Sequence, residues 1–289
     1  MSSISMETAG QTAAPLAATA AAESPMRAIF RRFLHVVVPL VTLAVVLLVW
    51  QWYVTVYEVP RYILPGPTEV IRAFVADYPM LFSALWVTLS ITFSALALAL
   101  AGGVFVAIAF AQSPWLERIF YPYAVVLQVT PIVAIAPLLI IYAPSTHAVL
   151  LMCAFLVAFF PILSNMTQGL KSTDHNLLNL FDIYNATAWQ RLRYVKLPGA
   201  LPYFATGLRI GGGLALIGSV VAEFTAGSAG TESGLAFRIL EAGRRLNVPR
   251  LFAALLLITA TGVTIFFLTS FISHLLLRRW HESALTREN

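Results

Sequence analysis

Long stretches without a single acidic or basic side chain constrain this chain more than any other feature. No Asp, Glu, Lys or Arg occurs from Val36 to Tyr57, from Tyr78 to Leu116, or from Ile119 to Leu170. A helix needs about 20 mostly apolar residues to cross the hydrocarbon of a bilayer. The third stretch is too long for one helix, and Tyr142-Ala143-Pro144-Ser145-Thr146-His147 divides it. With two more apolar runs downstream, the sequence predicts an all-α polytopic membrane protein with six spanning helices. They fall at about residues 36–57, 82–112, 119–141, 147–168, 203–226 and 251–277 of a membrane domain over 27–280. The hydrophobicity is continuous rather than alternating, which excludes a β-barrel.

Composition closes off other classes. Only 11% of the residues are charged and 59% are hydrophobic, against about 25% and 45–50% in soluble domains. A cytosolic enzyme, a nucleic-acid-binding domain and a disordered protein are excluded, so no nucleic-acid partner is expected. The length leaves no room for an ATP-hydrolysing domain beside the spans. Residues 1–26 carry no Lys or Arg and lack the basic start of a secretory signal. They read as a disordered tail, and Arg27, Arg31 and Arg32 make the following span an uncleaved anchor. Cys153 is the single cysteine, so no intramolecular disulfide can form.

The positive charges set an orientation. With the N-terminus inside, Arg27, Arg31, Arg32, Arg118, Lys171, Arg191, Arg193, Lys196, Arg209, Arg278, Arg279 and Arg287 fall on the cytoplasmic side. Arg61, Arg72, Arg238, Arg244, Arg245 and Arg250 fall outside. This bias puts both termini, including a tail over 281–289, in the cytoplasm.

Ion-coupled carriers place acids or histidines within the bilayer. Here only Arg209 and Glu223 stand near span five, and each reads as an interfacial charge that snorkels. Counted from a helix start at Tyr203, Arg209 lies roughly 9 Å in and Glu223 about 30 Å in. No histidine pair has metal-ligand spacing, and H-E-x-x-H, G-x-S-x-G and Walker motifs are absent. A passive channel or an externally powered permease remains.

The segment over 171–202, between spans four and five, carries the most information. Thr173 or Asp174 can cap a helix in which Leu177, Leu180, Phe181 and Tyr184 form one apolar stripe. Asn185 follows as the best non-glycine choice for a left-handed helix end. Thr187-Ala188-Trp189-Gln190 matches a capping box, starting a second helix that Pro198 and Pro202 limit. Such a stripe packs either on the chain's own spans or on a partner.

These residues carry a resemblance. The run from Leu177 to Gly211 resembles the EAA loop of binding-protein-dependent ABC importer permeases. Val195-Lys196-Leu197-Pro198 stands at the I-x-L-P positions, Asn185 at the glycine, and Asn179-Leu180-Phe181 at E-A-A. Leu64-Pro65-Gly66-Pro67-Thr68-Glu69-Val70, Thr130-Pro131 to Ala136-Pro137-Leu138, Gly207-Leu208-Arg209-Ile210-Gly211, and Val220-Val221-Ala222-Glu223 with Ser233-Gly234-Leu235 look like the nitrate/sulfonate/taurine branch. Two departures stand out: the acidic E-A-A residue is lost, and Ile141-Tyr142-Ala143 replaces the usual W-F-G.

The resemblance implies the MetI-like permease fold in a bacterial inner membrane. It further implies a pore built from two permease copies, most simply a homodimer, resting on cytoplasmic ABC ATPase subunits and served by a periplasmic substrate-binding protein. This chain would bind no cofactor, and ATP and Mg would sit on the partner ATPase. Leu177, Asn179, Leu180, Phe181, Tyr184, Asn185, Thr187, Leu197 and Pro198 become the candidate coupling residues. The solute would be a nitrate-, sulfonate- or taurine-like anion, or a pyrimidine- or riboflavin-type vitamin precursor.

Within the membrane, Pro131 and Pro137 interrupt span three beside Gln128 and Thr130. Freed carbonyls are tolerated where they face a cavity or a neighbouring helix, so these four residues are either pathway lining or a structural kink. Gly207 and Gly211 form G-x-x-x-G, which suits close helix packing. Two other classes stay open. A membrane-embedded enzyme or assembly factor would show paired ionisable groups at one depth, and a passive channel or secondary carrier would need no ATPase.

Overall fold

The computed structural model describes residues 25–227 and 233–278. The tails read over 1–26 and 281–289 lie outside it, apart from Pro25 and Met26, which already belong to the first helix. Among the described residues the secondary structure is helical, without a strand.

Residues 1–52 and 53–289 form two units. Most of α1 (Pro25–Val56) belongs to the first; the helix continues through Pro39, and its stretch Val37–Val56 is long and apolar enough to cross a bilayer.

The second unit holds the bundle. Helix α2 (Pro67–Gln112) begins with Pro67 after Gly66 and takes Glu69 into its first turn, where an acid favours the helix dipole. It is 46 residues long, about 69 Å at 1.5 Å per residue. The span expected over 82–112 is therefore only its second part, because Asp77 bounds the charge-free run and Pro79 follows it, and neither ends the helix. Asp77 takes two hydrogen bonds from Arg250, at 2.6 and 2.9 Å, tying the extension to the far end of the chain.

Span three is corrected more deeply. Where one helix was expected over 119–141, α3 (Pro114–Val129) and α4 (Ile132–Tyr142) meet at a 102° bend. Proline lacks an N–H and pushes the residue before it out of the helical region. Thr130 accordingly takes ψ 124° ahead of Pro131. Taken together, the two are still long and apolar enough to count as one bent span. Lys171, at the end of α5 (Thr146–Lys171), is paired with Glu117 at the start of α3. Since α5 itself spans, its start lies on the opposite side, and α3 with α4 must cover the distance between. With α1, α2, α5, α8 and α10, each long and apolar enough to cross, this makes up to six candidate crossings among the described residues.

Downstream come α6 (His175–Ile183), α7 (Ala188–Arg191), one π turn (Leu192–Lys196) and α8 (Leu197–Ala226). The prolines do not limit the second loop helix, as the sequence had suggested. The Leu197 N–H reaches back five residues to Leu192, and this π turn absorbs the N–H that Pro198 lacks. Helix therefore runs unbroken from Ala188 to Ala226, so the helix that carries span five begins well before residue 203. Helix α9 (Leu235–Arg244), which the sequence reading did not foresee, and α10 (Val248–Leu277), capped by Asn247, complete the bundle.

Four apolar clusters stack along the bundle. One end holds Val70, Leu81, Leu235 and Ala253; the other holds Phe110, Leu163, Leu170 and Leu192. Helices α5 and α8 form the closest seam. A Cβ on Gly211 would come 2.8 Å from Ile162 Cδ1, and one on Gly218 would come 2.9 Å from Ala154 Cα. A Cβ on Gly207 would come 3.4 Å from Ile162 Cα. Small residues let these two backbones approach.

Candidate functional site

The loop between α5 and α8 is built from local signals, each satisfied. Asp174, rather than Thr173, caps α6 by accepting the Asn176 N–H at 2.8 Å. Thr173 is buried and donates to the Leu170 carbonyl. Asn185 has φ 51°. Its N–H donates to the Asp182 carbonyl at 3.0 Å and the Ala186 N–H to the Phe181 carbonyl at 2.9 Å, the paired bonds of a Schellman helix end. Thr187 and Gln190 then complete a reciprocal capping box. Arg191 pairs with Asp182 across the turn. Because α7 runs into α8 without a break, the second half of this loop is continuous with the helix of span five.

No residue of α6 is buried. Leu177 and Leu180 are 48% and 46% exposed, while Ile183 and Tyr184 reach 75% and 78%. The stripe thus does not pack away on the chain's own spans. Leu177, Phe181 and Pro198 line one groove against the start of α8. Leu180, Phe181 and Tyr184 line a second with Gln190 and Tyr194. Asn179 is exposed, whereas Leu197 packs inward on the cluster around Leu163 and Leu192. Ile183, Trp189 and Tyr194 extend the exposed apolar surface and were not singled out from sequence, although Ile183 follows Leu180 at helical spacing.

Gln128 and Thr130 flank the bend. Gln128 is exposed, Thr130 donates to the Val126 carbonyl at 2.7 Å, and Pro131 and Pro137 are exposed. Arg209 is exposed on α8. Because that helix starts at Leu197, Arg209 sits about 18 Å along it rather than 9 Å.

Glu223 overturns the snorkelling expectation. It is fully buried. Thr88 donates to its Oε1 at 2.7 Å and the Ala236 N–H donates to its Oε2 at 2.8 Å. The Phe237 N–H bonds the same carboxyl group, and the Leu235 N–H donates to Thr88 at 2.9 Å. These are the three free N–H groups that begin α9, whose own N-cap, Gly234, has no side chain to offer. A carboxyl from α8 and a hydroxyl from α2 thus replace a local cap. On α9, Arg238 at 2.9 Å holds the Glu241 carboxyl below the usual carboxylate range.

Residues 99–282 match the family described as binding-protein-dependent transport system inner membrane component. A probable ABC transporter permease protein of Haemophilus influenzae is 31% identical over 82% of this chain and 95% of its own length. The riboflavin transport system permease protein RibX of Chloroflexus aurantiacus is 34% identical over 84% of this chain and 90% of its own. Among solved structures, an inward-facing form of the MetNI methionine ABC transporter superposes with a TM-score of 0.61 at 19% identity. It covers 69% of this chain and 99% of the solved one, a likeness of fold.

Proposed function

The chain belongs to the binding-protein-dependent transport system inner membrane components, and from that membership we propose that it forms, with a second copy, the pore of an ATP-driven importer. The α6 loop docks on a cytoplasmic ATPase, which alone binds ATP and Mg. A substrate-binding protein delivers the solute to the opposite face. Six crossings then leave both termini in the cytoplasm of a bacterial cell whose inner membrane holds the complex.

One observation carries the reading. An apolar helix with no buried residue is fixed at both ends by caps and joined stiffly to a spanning helix. Leaving Leu177, Leu180, Ile183 and Tyr184 in water costs free energy that burial in a partner's groove regains, about 25 cal/mol per Å² of apolar surface. Helix-in-groove docking uses such a stripe. A passive channel or secondary carrier has no use for it.

The pathway follows the bend between α3 and α4. An exposed amide at Gln128 and the broken backbone at Thr130-Pro131 are costly against lipid and acceptable beside water or a second copy. Around them Val129, Val133, Ile141 and Tyr142 expose apolar surface, which suits a flat heterocycle better than a small inorganic anion. A riboflavin- or pyrimidine-type vitamin precursor is accordingly the first solute to test, with taurine- and nitrate-like anions second.

Proteoliposomes give the test. Uptake should require the ATPase, ATP and the binding protein together. Uptake by the permease alone would contradict the proposal.

A further inference from the structure

At the end of the bundle where α2 gives way to α3, a cavity of about 560 Å³ opens among α2, α3, α5, α6 and the π turn. Its walls include Glu117, Arg118, Tyr121, Lys171 and Lys196. The volume falls within the roughly 300–1,000 Å³ of small-ligand sites. Lys171 is matched by Glu117. Arg118 and Lys196 form no ion pair among the described residues, so the cavity keeps two unmatched positive charges contributed by segments far apart in sequence.

A second cavity of about 350 Å³ lies alongside, and Phe110 belongs to both. Its lining is apolar, including Leu116, Phe120, Tyr123, Leu127 and Leu163. On α3 the first four recur at intervals of four, three and four residues, one stripe of the helix. All four are exposed, so the described residues of the bundle leave that stripe uncovered. Trp115, at the start of α3, is 72% exposed, as suits a ring at the membrane–water boundary.

A cationic compartment opening onto an apolar groove fits an amphiphile with an anionic head. We propose that the two cavities together bind one anionic phospholipid, of the phosphatidylglycerol or cardiolipin class. Arg118 and Lys196 hold the phosphate, and an acyl chain lies along the α3 stripe. Basic pockets between spanning helices at the membrane surface hold such head groups. Charge complementarity selects the anionic over the zwitterionic lipid, and the apolar groove selects a lipid over a free phosphate, which would leave it unfilled. Leu178 of α6 also lines the head-group cavity, so the lipid touches the docking loop. That consequence rests on the docking reading; the binding itself does not.

The full-length permease, extracted in mild detergent from membranes holding both neutral and anionic phospholipids, is weighed intact by native mass spectrometry. Phosphatidylglycerol should be retained over phosphatidylcholine by about tenfold or more. The Arg118→Gln/Lys196→Gln pair should abolish that preference, and Arg118→Lys/Lys196→Arg should keep it. Equal retention of both lipids, an unchanged preference in the glutamine pair, or binding of inorganic phosphate with no lipid overturns the proposal. Because neither ATPase nor transport enters the readout, such a failure leaves the docking function standing.

Discussion

Asn185 shows how one residue fixes a loop. At φ 51° it stands where glycine is unstrained and a β-branched side chain costs roughly 1–2 kcal/mol. Asn185→Gly should leave ATPase association and uptake intact, and Asn185→Val should impair both without unfolding the bundle, as pull-down and uptake assays would read. This position is legible in sequence because its helix stripe, left-handed residue and capping box lie within a dozen neighbours. Glu223 was not legible, since its partners are 135 residues upstream and 13 residues downstream. Sequence alone shows an acid near a span end and cannot say that a distant helix needs a cap. Gly234 belongs to the same device, because a Cβ there would fall 2.2 Å from the Glu223 carboxyl. Gly234→Ala should therefore displace the carboxyl and leave N–H groups of α9 unpaired, at about 1–3 kcal/mol each. A lowered unfolding temperature in detergent is the expected readout.

Among elements, α5 and α8 carry the tightest contact. Gly218→Val has no flexible atom to displace, because its nearest neighbour is the Ala154 backbone at 2.9 Å. Overpacking of this kind costs about 1–3 kcal/mol. Gly213, on the same helix, has nothing within 4 Å, so Gly213→Ala should be neutral or slightly stabilising. A thermal melt of the two variants side by side separates seam packing from helix propensity. Element identity was readable from the apolar runs, whereas element ends were not. Asp77 and Pro79 hid the first third of α2, and Pro198 concealed the continuity of α7 with α8. The proline at 131 signalled a kink, yet a bend of 102° depends on what the flanking halves pack against.

For the whole molecule, the proposed importer uses the bent third span and the outward-facing α6 as the two ends of one transmission path from loop to pathway. If the bend lines that pathway, Gln128→Cys or Thr130→Cys should react with a water-soluble thiol reagent in at least one nucleotide state. Protection in every state would remove these residues from it. The central claim is that α6 receives the ATPase. Its most direct measurement is co-purification with the ATPase, together with substrate-stimulated ATP hydrolysis, for the wild type, Leu180→Asp and Phe181→Asp. Each substitution places a charge in the stripe without touching a buried residue of α6. Loss of association and of stimulation in folded variants is the result the docking geometry predicts. Wild-type coupling in both would contradict it.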